Sequence, residues 1–314
     1  MFKFLAALVI VLSSFQRLSS ESPGVVSEPV DMFGEGGEAF QSLPEILEDF
    51  PDEESGRTLV YLSVEWKNPG IYKLTRSNST LSLPEGYKMV IGEDVNKVWR
   101  LGCGDRDNEK LEAVVRDIDF KKVMLFEIWN EGYISLDDWG DLDAKNLLES
   151  LSERAEAANR ELGRTRVGRE LHVIGWMQEP VFDKHTNTVY WSIEFESSEE
   201  GAVVLSVAIR LGRESFVKLI CIASKESYAS GDGHFDAMLR SHSFDPGYRH
   251  QDYRTGDRIA SYGVASLVAA SVVGEMANAT GATGILKILG AFIFAGIAAV
   301  LYKLKNIFKR RGEE

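Results

Sequence analysis

Cysteine, histidine and proline are scarce in this chain of 314 residues, with 2, 5 and 8 copies. The two cysteines, Cys103 and Cys221, provide neither a disulfide framework nor the clustered thiolates of a zinc site. They either pair with each other in an oxidising compartment or remain buried free thiols. The five histidines are dispersed, and His234, His242 and His250 have a spacing that matches no helical pair of metal ligands. We therefore expect no metal and no cofactor.

Enzyme signatures are also missing from the sequence. It contains no G-x-S-x-G, H-E-x-x-H, paired C-x-x-C or P-loop motif. These absences remove the usual sequence arguments for a hydrolase, a metalloprotease or a nucleotide-binding enzyme. We therefore favour a protein that is not an enzyme.

Acidic residues outnumber basic ones: the chain has 35 Lys and Arg residues and 48 Asp and Glu residues, which gives a formal net charge of −13. An acidic chain is repelled by nucleic acid and by anionic lipid headgroups. We therefore expect no nucleic-acid partner. With 44% hydrophobic residues, the chain is still able to bury a sizeable core in one domain or two small ones.

One long apolar run is present, from Gly284 to Tyr302, and it has about the length that an α-helix needs to cross a bilayer. Lys287 lies one turn inside this run, where its side chain can reach the headgroups. Residues 303–314 are basic, and the positive-inside rule keeps such a tail in the cytoplasm. We predict a transmembrane helix over residues 284–302 and a cytoplasmic tail after it.

The first residues have the pattern of a secretory signal. Lys3 is followed by the short apolar segment FLAALVIVLSSF and then by a polar run. We predict a signal peptide over residues 1–20, with an uncleaved signal anchor as the alternative. Export at one end and a membrane span at the other predict a single-pass protein whose folded part lies outside the cytoplasm.

Residues 21–80 and 248–283 flank the predicted ectodomain, residues 81–247. We predict that residues 21–80 form a flexible acidic leader with one strand, Thr58–Trp66, where apolar and polar residues alternate. Residues 248–283 form a juxtamembrane segment. Within it, Ile259–Ala277 either lies on the membrane, packs on the ectodomain or is the first leg of a membrane hairpin, and we favour a single crossing.

The pattern of the ectodomain predicts an α+β fold, an antiparallel sheet meander with helices on one face. The expected helices are Glu93–Leu101, a long helix from Asp143 to Gly163, and His234–Arg240. A strand is expected over Lys121–Asn130. Four runs separated by turn residues predict the meander: Glu170–Met177, Thr188–Phe195, which alternates strictly, Ala202–Leu211 and Phe216–Ala223.

Six residues of one segment have a distinctive spacing: Gly175, Trp176, Pro180, Asp183, Thr186 and Trp191. They resemble the G-W-x-x-x-P-x-[YF]-D-x-x-T-x-x-x-x-W core of a bacterial family of membrane-anchored proteins known as domain of unknown function 2167. Further segments resemble the motifs of that family in the same order: Leu83–Tyr87, Glu131–Asp138, Ala157–Glu161, Arg210–Arg213, Phe244–Arg249 and Asp257–Gly263. The resemblance covers Leu81 to the C-terminus.

The resemblance implies an export signal, an α+β ectodomain in the periplasm and a single anchor in a bacterial inner membrane. It implies no established activity. The sequence departs from the family at Leu136 and Trp139, where acidic residues or alanine are usual.

The core motif has a structural and a functional interpretation. Asp183 and Thr186 suit a β-turn in which side chains form hydrogen bonds to the backbone of the same turn. Gly175 and Pro180 suit positions where the backbone turns or regular structure is interrupted. Trp176 and Trp191 either pack across strands or offer an aromatic surface. Alternatively, Asp183 acts with His185 or His172 as an acid, a base or a metal ligand. We expect hairpin structure first, then a binding surface formed by the six motif residues, and catalysis last.

These observations predict a non-enzymatic periplasmic interaction module. Its expected partners are the lipid bilayer, through Gly284–Tyr302, and either another envelope protein or a second copy of the chain. The alternative function is a periplasmic hydrolase or a small-ligand-binding domain that uses Asp183, His185 and the nearby aromatic residues.

Overall fold

A seven-stranded antiparallel sheet forms the centre of the computed structural model, which describes residues 63–103, 107–119, 122–165, 170–197, 201–229 and 234–280. The strands are β1 (Gly70–Leu74), β2 (Ser79–Leu83), β3 (Tyr87–Ile91), β4 (Leu111–Asp117), β5 (Lys122–Trp129), β6 (Tyr133–Ser135), β7 (Leu171–Asp183), β8 (Thr188–Ser197), β9 (Gly201–Leu211), β10 (Phe216–Ser224), β11 (His242–Phe244) and β12 (Ile259–Gly263). The order in the large sheet is β3-β4-β5-β10-β9-β8-β7.

Both faces of this sheet are covered, and the central strands show it. In β5, Val123 and Leu125 belong to one hydrophobic cluster, whereas Met124 and Phe126 belong to another. Because successive side chains of a strand point to opposite faces, a strand with a layer on each side is buried along nearly its whole length. The pattern of β5 is therefore almost continuously apolar.

Three of the five α-helices in the described part of the chain pack on the first face. The helices are α1 (Asp94–Cys103), α2 (Ala144–Thr165), α3 (Lys225–Ala229), α4 (His234–Ser241) and α5 (Val264–Thr280). Most buried side chains of α1, α2 and α5 belong to the cluster that contains Val123, for example Val98, Leu151 and Val268. Apolar residues spaced at three and four positions give each of these helices one buried stripe.

The second face is covered by a small sheet of order β1-β2-β11 together with α4. Leu81 of β2, Phe244 of β11 and Met238 of α4 are buried in the cluster that contains Phe126. The expectation that helices lie on one face therefore holds for α1, α2 and α5 but not for α4. The β1-β2 hairpin begins inside the segment that we assigned to the leader, and its apolar side chains close this face.

The antiparallel meander is confirmed as β7, β8, β9 and β10. Strand β7 is longer than predicted and continues to Asp183, because register shifts accommodate extra residues opposite β8. The predicted strand Thr58–Trp66 is wrong in its described part. Residues 63–66 are not extended strand, and the amide of Glu65 instead donates to the Asp94 carboxylate at 3.3 Å, at the start of α1.

Helix α2 begins as predicted, because the Asp143 carboxylate accepts a hydrogen bond from the Asn146 amide at 3.0 Å. Leu147, Leu151 and Ala155 form its buried stripe. The helix continues to Thr165 and thus passes through Gly163, which we expected to end it.

The juxtamembrane segment is part of the folded domain as far as the structure describes it. Residues 259–263 form β12, and α5 then packs on α2 and on the first face of the large sheet. The predicted signal peptide and the predicted span, residues 284–302, lie outside the described residues. In the ranges given above, no helix combines the length and the apolar character that a membrane crossing requires.

The thiol of Cys221 is free and buried on the second face of the sheet, and burial raises its pKa to about 12. Since the thiolate is the reactive form, we expect a Cys103→Ser variant to react with a disulfide reagent at least about a hundredfold more slowly when native than in urea. Stopped-flow labelling measures both rates. Equal rates would show that Cys221 is accessible.

Candidate functional site

Four of the motif segments meet at one end of the large sheet, and we call this region the motif junction. It comprises residues 131–138, 210–213, 244–249 and 257–263. Strand β6 pairs there in parallel with β12, with Tyr133 opposite Ile259. The amide of Tyr133 donates to the Arg258 carbonyl at 2.7 Å, and the amide of Gly132 donates to the Glu214 carbonyl at 2.9 Å.

A bidentate ion pair joins two of these segments. The Nε and Nη2 atoms of Arg213 donate to the two carboxylate oxygens of Asp257 at 2.7 and 2.6 Å. The two side chains are only 20% and 9% exposed. The hydrogen bonds from Arg213, together with one from the Arg254 amide, hold the pKa of Asp257 at about 2. The turn between β9 and β10 is thereby fixed to the segment that precedes β12.

Two glycines allow the segments of the motif junction to approach closely. Gly132 has a φ of 99°, and a Cβ atom there would lie 2.7 Å from the Arg258 carbonyl oxygen. At Gly263 a Cβ atom would lie 2.3 Å from Oδ1 of Asp138. The Asp138 carboxylate occupies that position because it accepts hydrogen bonds from the amides of Ala265 and Ser266, at 3.0 and 3.3 Å, and so caps α5.

Residues 245–259 run from the end of β11, through a short 3-10 helix (His250–Asp252), to the first residue of β12, and we call this segment the aromatic loop. Three aspartates fix its backbone. Asp245 accepts hydrogen bonds from Lys73 and Thr80, Asp252 accepts them from the amides of residues 247 and 249, and Asp257 binds Arg213. Each aspartate removes conformational freedom that the loop would otherwise lose on binding a partner.

The base of the aromatic loop is a stack of rings. Nε2 of the buried His250 lies 2.9 Å from the Ile134 carbonyl oxygen, so this nitrogen carries the hydrogen and donates it. The Tyr133 ring stacks on the His250 ring, with 4.4 Å between the two ring centroids. The centroid of the Tyr253 ring is likewise 4.4 Å from that of Tyr133. Burial lowers the pKa of His250, although the bond to Ile134 opposes the shift. The imidazole is therefore neutral at pH 7.

The outer surface of the aromatic loop combines apolar and cationic groups. Tyr248, Tyr253 and Ile259 are 48%, 37% and 58% exposed. Three arginines of the same segment are also exposed: Arg249, Arg254 and Arg258. Tyrosine and arginine are the residues that protein interfaces contain in excess.

The core motif around Asp183 has the geometry of a hairpin turn. The Asp183 carboxylate accepts hydrogen bonds from the His185 amide at 2.8 Å and from the Thr186 hydroxyl at 2.7 Å. The bond from Thr186 is the main reason why the pKa of Asp183 is lowered. The side chain of Asp183 therefore closes the β7-β8 turn, as the structural interpretation expects. His185 and Thr186 are exposed on this turn.

The two tryptophans of the core motif point into the protein. Trp176 packs on the first hydrophobic cluster, and its Nε1 donates to the Ala144 carbonyl at 3.1 Å. Trp191 is fully buried, and its Nε1 has no hydrogen-bond partner among the described residues. Trp191 therefore contributes to the core and offers no group to a surface ligand.

Gly175 and Pro180 lie on β7, the edge strand of the large sheet, close to its register shifts. A proline and irregular pairing are common on edge strands, because they hinder the addition of a further strand. The six motif residues are thus divided among a turn, a core and an edge. The structure does not bring all six together on one surface.

Sequence patterns do not identify which side chains interact in the motif junction, although its segments resemble motifs of the family. Arg213, Asp257, Asp138 and His250 acquire their contacts only in three dimensions. A signal was available, since arginine and aspartate recur in these segments beside glycines. Within the ranges that the structure covers, no three His, Cys, Asp or Glu side chains are grouped so that they could hold a metal ion.

Comparison with known proteins gives one extensive match. The family model described as "Protein of unknown function (DUF2167)" matches residues 66–305. No curated protein matches the chain.

Among solved structures, the solution structure of cyanobacterial PsbP (CyanoP) from Synechocystis is 12% identical, with 57% of this chain and 95% of that chain covered and a TM-score of 0.36. The Ran-binding protein Mog1p of Saccharomyces cerevisiae is also 12% identical, with 58% and 96% covered and a TM-score of 0.29. With scores this low, these two similarities carry no argument about this chain.

The close approach at Gly263 predicts that Gly263→Ala is destabilising. Because the new methyl group would collide with Asp138, we expect a loss of about 1–3 kcal/mol in the free energy of unfolding. Gly140→Ala is the matched control, since a Cβ atom there meets nothing within 4 Å, and we expect a change within about 0.5 kcal/mol. Urea unfolding measures the free energy of unfolding of both variants. Equal losses in the two would contradict the close contact between Gly263 and Asp138.

The ion pair predicts a pH dependence. The pKa of Asp257 is lowered from 3.8 to about 2 by folding, so its contribution to stability is complete above pH 4 and is lost as the pH falls to 2. We expect Asp257→Asn to unfold at a lower temperature at pH 7 and to lose less stability between pH 4 and pH 2. Thermal unfolding across this range tests the expectation, with the exposed Asp141→Asn as control. Parallel curves for Asp257→Asn and the wild type would refute it.

Proposed function

The chain belongs to the DUF2167 family of proteins of unknown function, and we propose that it is a membrane-anchored interaction module that binds another envelope protein through its aromatic loop. In this proposal the folded domain lies in the periplasm of a bacterial cell. Residues 284–302 cross the inner membrane once, and residues 303–314 remain in the cytoplasm. The family match, which ends at residue 305, includes the predicted span.

The observation that carries the proposal is the exposure of Tyr248, Tyr253 and Ile259 on a loop whose backbone is already fixed. Large apolar side chains on a flexible loop would bind weakly, because ordering the loop opposes association. Here Asp245, Asp252 and the Arg213–Asp257 pair supply that order in advance. A partner therefore gains the burial of these side chains with little further loss of entropy.

Charge supports the same surface and indicates what kind of partner fits it. The chain as a whole carries a formal net charge of −13, yet the aromatic loop contains three exposed arginines as well as its exposed tyrosines. A partner surface with carboxylates around an apolar centre would pair with the arginines and bury the rings. Such a partner would be repelled by most of the remaining acidic surface, so binding would be confined to the loop.

The position of α5 supports the tether. Helix α5 packs into the first hydrophobic cluster and is described as far as Thr280, which three residues separate from Gly284. A membrane span that starts at Gly284 would therefore hold the domain near the bilayer. The domain would meet partners that lie in or on the same membrane.

The alternative function, a hydrolase or ligand-binding site at Asp183 and His185, has less support from the geometry. The Asp183 carboxylate binds the His185 amide and the Thr186 hydroxyl within its own turn. Asp183→Ala combined with His185→Ala would still separate the two functions. Under the interaction proposal this double variant retains the partner whenever it folds.

The proposal is tested by affinity purification of the full chain from carbonate-washed membranes in a mild detergent. We expect one partner to copurify with the wild type, and we expect Tyr253→Ala with Ile259→Ala to reduce its recovery at least about tenfold. Ile118→Ala is the matched control, because Ile118 is 59% exposed at the opposite end of β5.

Two results would overturn the proposal. The first is a partner that binds the Tyr253 and Ile259 double variant as well as it binds the wild type. The second is release of the intact chain from the membranes by the carbonate wash.

A further inference from the structure

An acidic stretch of sequence, Leu47–Glu54, precedes the described residues, which begin at Ser63, and we call it the acidic segment. Five of its eight residues are Asp or Glu, and none is Lys or Arg. Its two large apolar residues, Leu47 and Phe50, stand among these acids. Carboxylates around an apolar centre are the features that the aromatic loop would recognise in a partner. The chain therefore contains a sequence of the class that fits its own surface.

The three exposed arginines of the aromatic loop are available to such a segment. None of the ion pairs within the described ranges includes Arg249, Arg254 or Arg258. Asp257 lies near Arg254, but both of its oxygens accept hydrogen bonds from Arg213. A carboxylate that reached the three exposed guanidinium groups would therefore gain charge-assisted hydrogen bonds.

The start of the described chain lies at the same end of the large sheet as the motif junction. The amide of Glu65 donates to Asp94, just beyond the end of β3 at Ile91. Strand pairing places this end of β3 in line with the start of β4, the end of β5, the start of β10 and the end of β9. Arg213 follows that end of β9. Four strand spacings, or roughly 19 Å, separate β3 from β9 across the sheet.

The chain that joins the acidic segment to Ser63 is long enough to cover this distance. Nine residue steps lead from Glu54 to Ser63, and at about 3.3 Å per residue they span up to about 30 Å. The acidic segment is therefore able to reach the aromatic loop of its own molecule. A tethered segment of this reach has an effective concentration on the order of millimolar, so even a weak contact would be populated.

We propose that the acidic segment binds the aromatic loop of the same chain and competes there with the envelope partner. Its carboxylates pair with the three exposed arginines, and its two large apolar side chains cover the exposed apolar side chains of the loop. The competition rests on the proposed function, whereas the contact itself does not. The segment thereby lowers the apparent affinity for the partner, because only the molecules with an uncovered loop bind it.

Disulfide trapping in the full chain in detergent tests the contact without any partner. In a Cys103→Ser background, Ser55→Cys places a thiol directly after the acidic segment, and Thr255→Cys places one at an exposed position of the aromatic loop. With oxidised glutathione, we expect this pair to form a disulfide at least about tenfold faster than Ser55→Cys with Ile118→Cys. Ile118 is the control position because it is exposed at the opposite end of the sheet.

A charge variant keeps both thiols and weakens the attraction. Glu53→Gln with Glu54→Gln is expected to slow trapping at Thr255→Cys at least about threefold. Glu35→Gln with Glu38→Gln removes the same charge outside the acidic segment and is expected to change the rate less than about twofold. In affinity purification of the full chain, the Glu53 and Glu54 variant is expected to recover at least about twice as much partner.

Equal trapping rates at Thr255→Cys and Ile118→Cys would overturn the contact. Unchanged partner recovery by a charge variant with slowed trapping would overturn the competition. If no partner copurifies with any variant, the proposed function fails and the competition with it, whereas faster trapping at Thr255→Cys still supports the contact.

Discussion

The bidentate ion pair between Arg213 and Asp257 is the contact on which the arrangement of the motif junction depends. It joins the β9-β10 turn of the large sheet to the segment before β12, which contains only one short 3-10 helix, His250–Asp252. With that segment in place, β12 pairs with β6 and leads directly into α5. Asp138 then caps α5 across the backbone of Gly263, which has no side chain to prevent the approach.

Much of the large sheet was predictable from local pattern alone. Strand β8 alternates, β9 and β10 are long apolar runs, and the turns between them contain residues that favour reversal of the chain. Helix α2 was equally clear, because Asp143 and the stripe through Leu151 are signals within one segment. The small sheet and the β6-β12 pair were missed, since strands of three to five residues have too few positions to show a period.

The candidate site was less predictable than the fold, for a physical reason. Asp183 contacts residues two and three positions away, so a sequence pattern can indicate its role in the turn. Arg213 and Asp257 are 44 positions apart, and Asp138 and Ala265 are 127 apart. No local rule relates such distant residues. The exposure of Tyr253 and Ile259 likewise depends on which neighbours the folded chain places around them, so the sequence directed attention to the β7-β8 hairpin instead.

The central claim is that the aromatic loop is ordered before any partner binds, and native-state hydrogen exchange tests it most directly. The amides of Gly247 and Arg249 donate to Asp252, and that of Arg254 donates to Asp257. These three amides are therefore predicted to exchange far more slowly in the free protein than in an unstructured peptide. Exchange at the unstructured rate would contradict the account, because the loop would then have to be ordered by its partner.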